Sequence, residues 1–447
     1  MSPLTRRQLL IGSAATAAGA AVGRAGAAPR TSRLVSPTTL PSPNDSGIDH
    51  IVVVVMENRS FDHYLGWMAT EPKFGSVEGK QAGLSYVDSS GATQSTYRLA
   101  VRQGCGMDDP DHSYNGGRVQ FNGGACDGFA KTTPDTFPLG YYTRADLPFY
   151  GGSSGKQGFV DVATTFDHWF ASILSSTYPN RYYTHAGRTE RVDNTMATTE
   201  MPTIWDRFAA ANVSANYYFS DLPFLALWGD KYVAISRHME TFFAQAASGT
   251  LPSFSYLDPF FLGEDQGGSN DDHPHADIWR GQAFLSLVTQ AVVNSPLWSR
   301  TALVVTYDEW GGFFDHVAPP RLPDDRPLGT ADFDHSQAGF RVPAFVLSPF
   351  AKRGAVNATQ FDHTSMLKLA EWRWGLQPLA PRDGAANNIA DVLDFANPDF
   401  SVPDLPVVVD PGPHVCGTPG EGMAAEDPFW VELRDRVRSD PAWRHVV

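Results

Sequence analysis

The sequence predicts an α/β protein built on a mostly parallel sheet, and three observations carry that expectation. The run His50-Ile51-Val52-Val53-Val54-Val55-Met56 is apolar and largely β-branched, and it stops abruptly at Glu57-Asn58. Such a run bounded by polar residues reads as a buried strand. Thr301-Ala302-Leu303-Val304-Val305-Thr306-Tyr307 repeats the pattern and ends in Asp308-Glu309, followed at once by Gly311-Gly312 and Asp315-His316. Between the two, Phe284, Leu287, Val288, Ala291 and Val292 keep helical spacing within residues 282–293. Strands that alternate with helices argue for a parallel sheet.

Taken in order, the chain begins with Thr5-Arg6-Arg7-Gln8-Leu9-Leu10, a small-residue apolar stretch and Ala25-Gly26-Ala27. This is the pattern of a twin-arginine export signal over residues 1–27, with secretion or cell-envelope association as the expected localisation. Residues 28–47 are rich in Ser, Pro and Thr and read as a linker. Strand 50–56 opens the main domain, expected over residues 48–376. Residues 80–160, rich in Gly, Asp and aromatics, read as a long loop excursion over the active site. Val342–Leu347 reads as a third strand ending at Ser348-Pro349. Asp362-His363-Thr364-Ser365 reads as a helix start, with a stop near Gly375. Residues 377–447, rich in Pro and Asp, read as a tail packed on the same domain. Export permits a disulfide. Cys105 and Cys126 flank a polar, Gly-rich loop and are the expected pair, with Cys416 free or capping the tail; sequence leaves all three pairings open.

Charge narrows the partners. Lys plus Arg number 34 against 49 Asp plus Glu, a net of −15. Residues 1–27 hold three arginines and no acid, so the remainder carries 31 − 49 = −18. That balance disfavours nucleic acid as a partner and electrostatic docking on anionic membranes. A neutral or zwitterionic substrate fits better, with membrane contact at most transient and no obligate protein partner evident.

Two strand ends that present carboxylates are what a divalent-cation site at a sheet edge requires, because carboxylates are rarely buried unless paired or metal-bound. Glu57, Asn58, Asp308 and Glu309 offer hard oxygen ligands. They favour Mg, Ca or Mn without excluding Zn. Ser175-Ser176-Thr177-Tyr178-Pro179-Asn180-Arg181 sets hydroxyls beside an arginine in a turn-like context, and Arg181 offers a forked donor for phosphate oxygens. Asp271-Asp272-His273-Pro274-His275 presents two histidines in a loop, since Pro274 bars them from a helix interior. Asp111-His112-Ser113 is a weaker cluster of the same kind.

Met56-Glu57-Asn58-Arg59-Ser60-Phe61-Asp62-His63-Tyr64-Leu65-Gly66 resembles the opening motif of the phosphoesterase family, which includes bacterial and plant non-specific phospholipases C and bacterial acid phosphatases. The resemblance continues, in family order, through residues 177–181, Asp272-His273-Pro274, residues 306–317 and residues 361–365. It implies an alkaline-phosphatase-like fold and a phosphoester-cleaving metal site. By it, Glu57, Asn58 and Asp308 fall on metal-ligand positions, and Glu309 on the adjacent acidic one. Thr177 falls on the nucleophile position, threonine in the phospholipases and serine in the acid phosphatases. His112 and His273 resemble the histidines around the substrate phosphate, with His238 and His275 as further substrate-binding candidates.

The mechanism so implied is attack on phosphorus by the Thr177 oxygen, with His273 protonating the departing alcohol. The expected activity is phospholipase C-type hydrolysis of glycerophospholipids to diacylglycerol and a phosphorylated headgroup. The alternatives are an acid phosphatase acting on small phosphomonoesters and, from another class, a catalytically degenerate secreted binding protein.

Overall fold

In the computed structural model, which describes residues 40–326, 332–416 and 428–447, the apolar run becomes the central strand of an eight-stranded sheet. The expected export signal and most of the linker lie outside the described residues. The sheet strands are β1 (His50–Met56), β2 (Thr164–Phe166), β3 (Ala215–Phe219), β4 (Ser236–His238), β5 (Phe254–Asp258), β6 (Thr301–Tyr307), β7 (Ala344–Leu347) and β8 (Val356–Asn357). Their spatial order is β8-β2-β7-β6-β1-β5-β3-β4. β6, β1, β5, β3 and β4 run parallel, as do β8 and β2, while β7 is antiparallel to both of its neighbours. All of β6 and all of β1 except His50 are buried, which is why both read as continuous rather than alternating apolar runs.

Register decides where the chemistry falls. Met56 pairs with Tyr307 across β1 and β6, and Val54 pairs with Leu257 across β1 and β5. Three adjacent parallel strands therefore end at one level, delivering Glu57-Asn58, Asp308-Glu309 and Asp258 to the same edge.

Helices α1 (Thr177–Ala186), α2 (Met239–Ser248), α3 (Ile278–Val293), α4 (Thr364–Trp374) and α5 (Pro428–Ser439) flank this sheet, α1 against α4 and α2 against α3. α3 begins four residues before the apolar pattern does, because the Asp277 side chain caps it by accepting from Trp279 N at 2.9 Å. α4 ends at Gly375 in a left-handed conformation, the stop that its sequence signals. The excursion over residues 80–160 contributes two small two-stranded ribbons and the helix Tyr114–Phe121, and no strand of the main sheet. No described helix is long and apolar enough to cross a membrane.

The tail first runs along α3. Ser286 Oγ donates to Pro406 O at 2.9 Å, and Gln290 Nε2 donates to Leu405 O at 3.2 Å. Further on, Trp430 of α5 stacks on Phe261 with centroids 4.2 Å apart. The expected Cys105–Cys126 pairing is overturned: the disulfide joins Cys105 to Cys416, their Cα atoms 5.1 Å apart, and Cys126 is free and buried. The reason is local. Cys126 turns inward, at a positive φ of 52°, into an apolar cluster with Phe129, Trp310 and Phe340, whereas the returning tail lays Cys416 beside Cys105.

Candidate active site

The polar centre is assembled at the edge where β6, β1 and β5 end. Asp308 N donates to Met56 O at 2.9 Å, and Asp308 Oδ1 accepts from Asn58 N at 3.1 Å and Glu309 N at 2.7 Å. Asn58 holds a left-handed backbone at φ 55°, a region that asparagine tolerates better than most residues. Gly311 and Gly312 follow at φ 61° and 70°. A Cβ on Gly311 would collide with the Asn58 carbonyl, and one on Gly312 would come within 2.7 Å of Pro110. Both glycines therefore permit close approach: one seats Asn58, the other the loop that carries His112.

Thr177 is not in a turn, as its neighbours imply, but is the buried first residue of α1, preceded by Ser176, whose side chain makes no capping bond. Pro179 is accommodated because the first-turn N–H groups of a helix have no intrahelical partner. The Thr177 hydroxyl donates to Glu57 Oε2 at 3.0 Å. It thus lies at the positive end of a ten-residue helix, a setting that favours anions.

Arg181, one turn later, is completely buried and faces inward. Its Nε and Nη2 donate to Glu57 Oε1 at 2.8 and 2.5 Å, Nη1 donates to Asp258 Oδ1 at 2.6 Å, and Nη2 also reaches Val55 O at 3.2 Å. The guanidinium that sequence offered to a substrate phosphate is a counter-ion inside the sheet edge. Asp308 Oδ2 is 3.9 Å from its Nε, so three buried carboxylates share one positive charge.

That imbalance shows in proton affinities. Burial above all, with Asp308 and Asp271 adding and Arg181 opposing, pushes Glu57 well above the usual carboxylate range. Burial does the same to Glu309, with Asp308 adding and His112 opposing. Three buried oxygens here, Asn58 Oδ1, Asp308 Oδ2 and Glu309 Oε1, have no hydrogen-bond partner among the described residues. Unsatisfied buried oxygens with too little countercharge are the donor set that fits a hard divalent cation. Asn58, Asp308 and Glu309 carry those oxygens, whereas both Glu57 oxygens are engaged, one by Arg181 and the other by Thr177.

Opposite this oxygen cluster stand imidazoles. His112 Nδ1 donates to Pro110 O at 2.8 Å and its Nε2 lies 3.4 Å from Asn58 Nδ2. His273 Nδ1 donates to Pro274 O at 3.1 Å, and the two rings meet edge-on at 5.8 Å. Burial works against charge on His112, but Glu309 and then Asp109 outweigh it and raise its pKa to about 10. Burial, with His112 next, drives His273 well below the usual histidine range. Asp109, which sequence reasoning missed, converges with His112 and His273 as a possible ligand group. The dense run Asp108-Asp109-Pro110-Asp111-His112 was the available signal.

Two predicted histidines are placed otherwise. The His275 ring Nε2 donates to Met107 O at 2.8 Å, making it a loop fastener. His238 is exposed at the end of edge strand β4 and packs on Phe219. A second convergent group, Asp62, Asp315 and His316, is already satisfied by protein. Arg341 donates to Asp315 Oδ1 at 2.9 Å and to Asp62 Oδ1 at 3.1 Å, tying the first and fourth motifs together.

With this geometry in place, the profile of the Phosphoesterase family matches residues 48–377. The chain belongs to the phosphoesterase family. Membership puts it among hydrolases of phosphoric ester bonds. Non-specific phospholipase C1 of Arabidopsis thaliana is 31% identical over 361 residues, covering 71% of this chain and 65% of that one. Phospholipase C B of Mycobacterium tuberculosis is 30% identical over 471 residues, covering 88% and 86%. The chain thus spans a little under two thirds of the plant relative's length. Among solved structures, a protein in the alkaline phosphatase superfamily from Vibrio parahaemolyticus aligns with a TM-score of 0.35 at 11% identity, over 55% of this chain and 67% of that one. The lipoteichoic acid synthase LtaP of Listeria monocytogenes aligns at 0.36 and 8% identity, over 81% and 79%. The α/β assignment rests on the sheet described above.

Proposed function

We propose that this phosphoesterase is a cation-dependent phospholipase C-type hydrolase that cleaves glycerophospholipids through Thr177. The observation that carries the reading is the Thr177 hydroxyl, hydrogen-bonded to Glu57 at a helix N-terminus beside three unpartnered oxygens. Glu57, Asn58, Asp308 and Glu309 would hold the cation, with Mg, Ca or Mn favoured by the all-oxygen set and Zn compatible. When bound, it supplies Lewis-acid charge that lowers the hydroxyl pKa and offsets charge on the phosphate oxygens.

The residues of the chain divide the remaining work. Thr177 Oγ1 hands its proton to the Glu57 side and forms a bond to phosphorus, while the bond from phosphorus to the glycerol oxygen breaks. The positive end of α1 stabilises the added charge on the non-bridging oxygens. An imidazole of the histidine wall gives the departing diacylglycerol oxygen its proton, His112 being the one whose charged form Glu309 and Asp109 favour, and water then releases the phosphorylated headgroup from Thr177. Arg181 holds Glu57 in place from behind. The match to two proteins named phospholipases C, each close to 30% identical, supports the diester reading.

The test is a side-by-side assay of phosphatidylcholine and a chromogenic phosphomonoester, with mass spectrometry of enzyme quenched during turnover. Diacylglycerol release and a phosphocholine adduct on Thr177 are expected. Faster turnover of the monoester with a bare phosphoryl adduct would make the protein an acid phosphatase instead. We also propose export by the twin-arginine route, read from Arg6-Arg7; Arg6→Lys with Arg7→Lys should retain the protein in the cytoplasm, and wild-type levels outside the cell would refute it.

A further inference from the structure

The oxygen ligands ride on β1 and β6 and Thr177 on α1, whereas Asp109 and His112 lie on one loop and His273 on another. Those two loops are fastened to each other at a few points. His275 Nε2 donates to Met107 O at 2.8 Å, Ile278 N donates to Arg102 O at 3.1 Å, and Arg102 pairs with Asp277 at 3.1 Å. The tail closes over both. Cys416 N donates to Gln266 O at 2.8 Å, and Gln103 Nε2 donates to His414 O at 2.8 Å and to His275 O at 3.4 Å. Gly267 is left-handed at φ 79°, and a Cβ there would meet His414 O at 2.5 Å, so the tail lies directly on the histidine loop. His275 itself is left-handed at φ 81°, a conformation that persists only where its surroundings impose it. The Cys105–Cys416 bond joins the start of the Asp109–His112 loop to the end of this strap, and Cys105 is exposed.

We propose that Cys105 and Cys416 are positioning residues for the histidine wall, and that the enzyme is largely latent until their disulfide forms. The inference rests on the phospholipase C-type reading above. With the bond open, the strap keeps its hydrogen bonds to α3 but loses the covalent end that presses it onto the histidine loop. The strand-borne oxygens and Thr177 touch the histidine loop where Glu57 N donates to Asp271 O at 2.9 Å, but they keep their places through the paired strands β1 and β6 and through α1. Closing the bond takes two electrons and two protons from the two thiols, passed to a disulfide-bearing oxidant of the kind that acts outside the cytoplasm. A phospholipase folded before export would in this way gain its proton donor only after leaving the lipids of its own cell.

The experiment opens the bond in intact protein with a water-soluble phosphine. The phosphine becomes its oxide with oxygen from water, whose two protons go to the sulfurs. Excess reagent is removed, thiols are counted, and two diesters are compared: phosphatidylcholine, whose alkoxide must be protonated to leave, and p-nitrophenyl phosphocholine, whose phenolate leaves unaided. Reduction is expected to lower kcat on phosphatidylcholine by roughly 10²-fold and on the nitrophenyl ester by about twofold or less. Bound cation by elemental analysis and the near-ultraviolet dichroism of the core should be unchanged, and reoxidation should restore the rate. The Cys105→Ser, Cys416→Ser double variant should show the same split and ignore the phosphine. Equal losses on both esters would assign the bond a general structural role, and no loss with both thiols free would assign it none; either overturns the proposal. Oxidised protein that cleaves neither ester would remove the phospholipase C reading, and this inference with it.

Discussion

Glu57 and Asp308 each follow a strand locked to its neighbour over seven residue pairs, whereas His112 and His273 sit on loops fixed by a few hydrogen bonds and one distant disulfide. Strand register is cooperative: a slip of one residue would turn every buried side chain of β1 to the other face. The loops have no such register. Asp271 O accepts from Glu57 N at 2.9 Å and Asp272 O from Arg59 Nε at 2.6 Å, so the His273 loop is bonded to the strand end, and left-handed residues, Gly contacts and the returning tail do the rest. The oxygen wall is thus specified by secondary structure and the histidine wall by individual tertiary contacts.

The largest effects should come from the strand-and-helix side. Thr177→Val should lower turnover by several powers of ten while Thr177→Ser keeps measurable activity, as for loss of a catalytic nucleophile. Wild-type rates in the valine variant would end the proposed mechanism. Asp308→Ala and Glu57→Ala should each lose bound cation and nearly all activity, with elemental analysis as the measurement. Full occupancy in either would show that the unpartnered oxygens have another role. On the loop side, His112→Asn should lower kcat by about 10²- to 10⁴-fold with cation content intact, a loss typical of general acid–base groups.

Arg181 sharpens the contrast, because it was read from sequence as a phosphate clamp and is found as an interior strut. Arg181→Met should cost about 3–5 kcal/mol in chemical denaturation by leaving Glu57 and Asp258 without their partner. A clamp would instead raise KM and leave stability alone. The smallest effect belongs to His238→Asn, expected to change stability by under about 0.5 kcal/mol and turnover not at all. A clear rate loss there would bring edge strand β4 into the site.

Those placements mark what the sequence made legible. The strand ends are readable because each run is apolar throughout and stops in acids, α3 is readable from its helical periodicity, and α4 from its start signal and the Gly375 stop. Thr177 was placed on its motif but assigned to a turn, since Pro179 looks like a helix breaker unless the first turn is recognised. Arg181 was misassigned because a sequence does not say which way a helix faces. Asp109 went unnoticed and Cys105 was paired with Cys126 for a common reason: both depend on how a loop folds back, and near neighbours in sequence were preferred to a partner 311 residues away. His275 and His238 follow from the family resemblance, which does not show that one ring is tied to Met107 O and the other lies exposed at the sheet edge.

The contact between Gly311 and the Asn58 carbonyl couples two motifs that are far apart along the chain. Any side chain at position 311 has to be answered by a change in the backbone at 58, and Asn58 cannot relax while Glu309 O accepts from Arg59 N at 3.1 Å. Drift at one motif is therefore penalised through the other. Shuffling segments between relatives should succeed when both motifs come from the same parent and fail at crossovers that separate parents differing here, whatever the identity of the sequence in between.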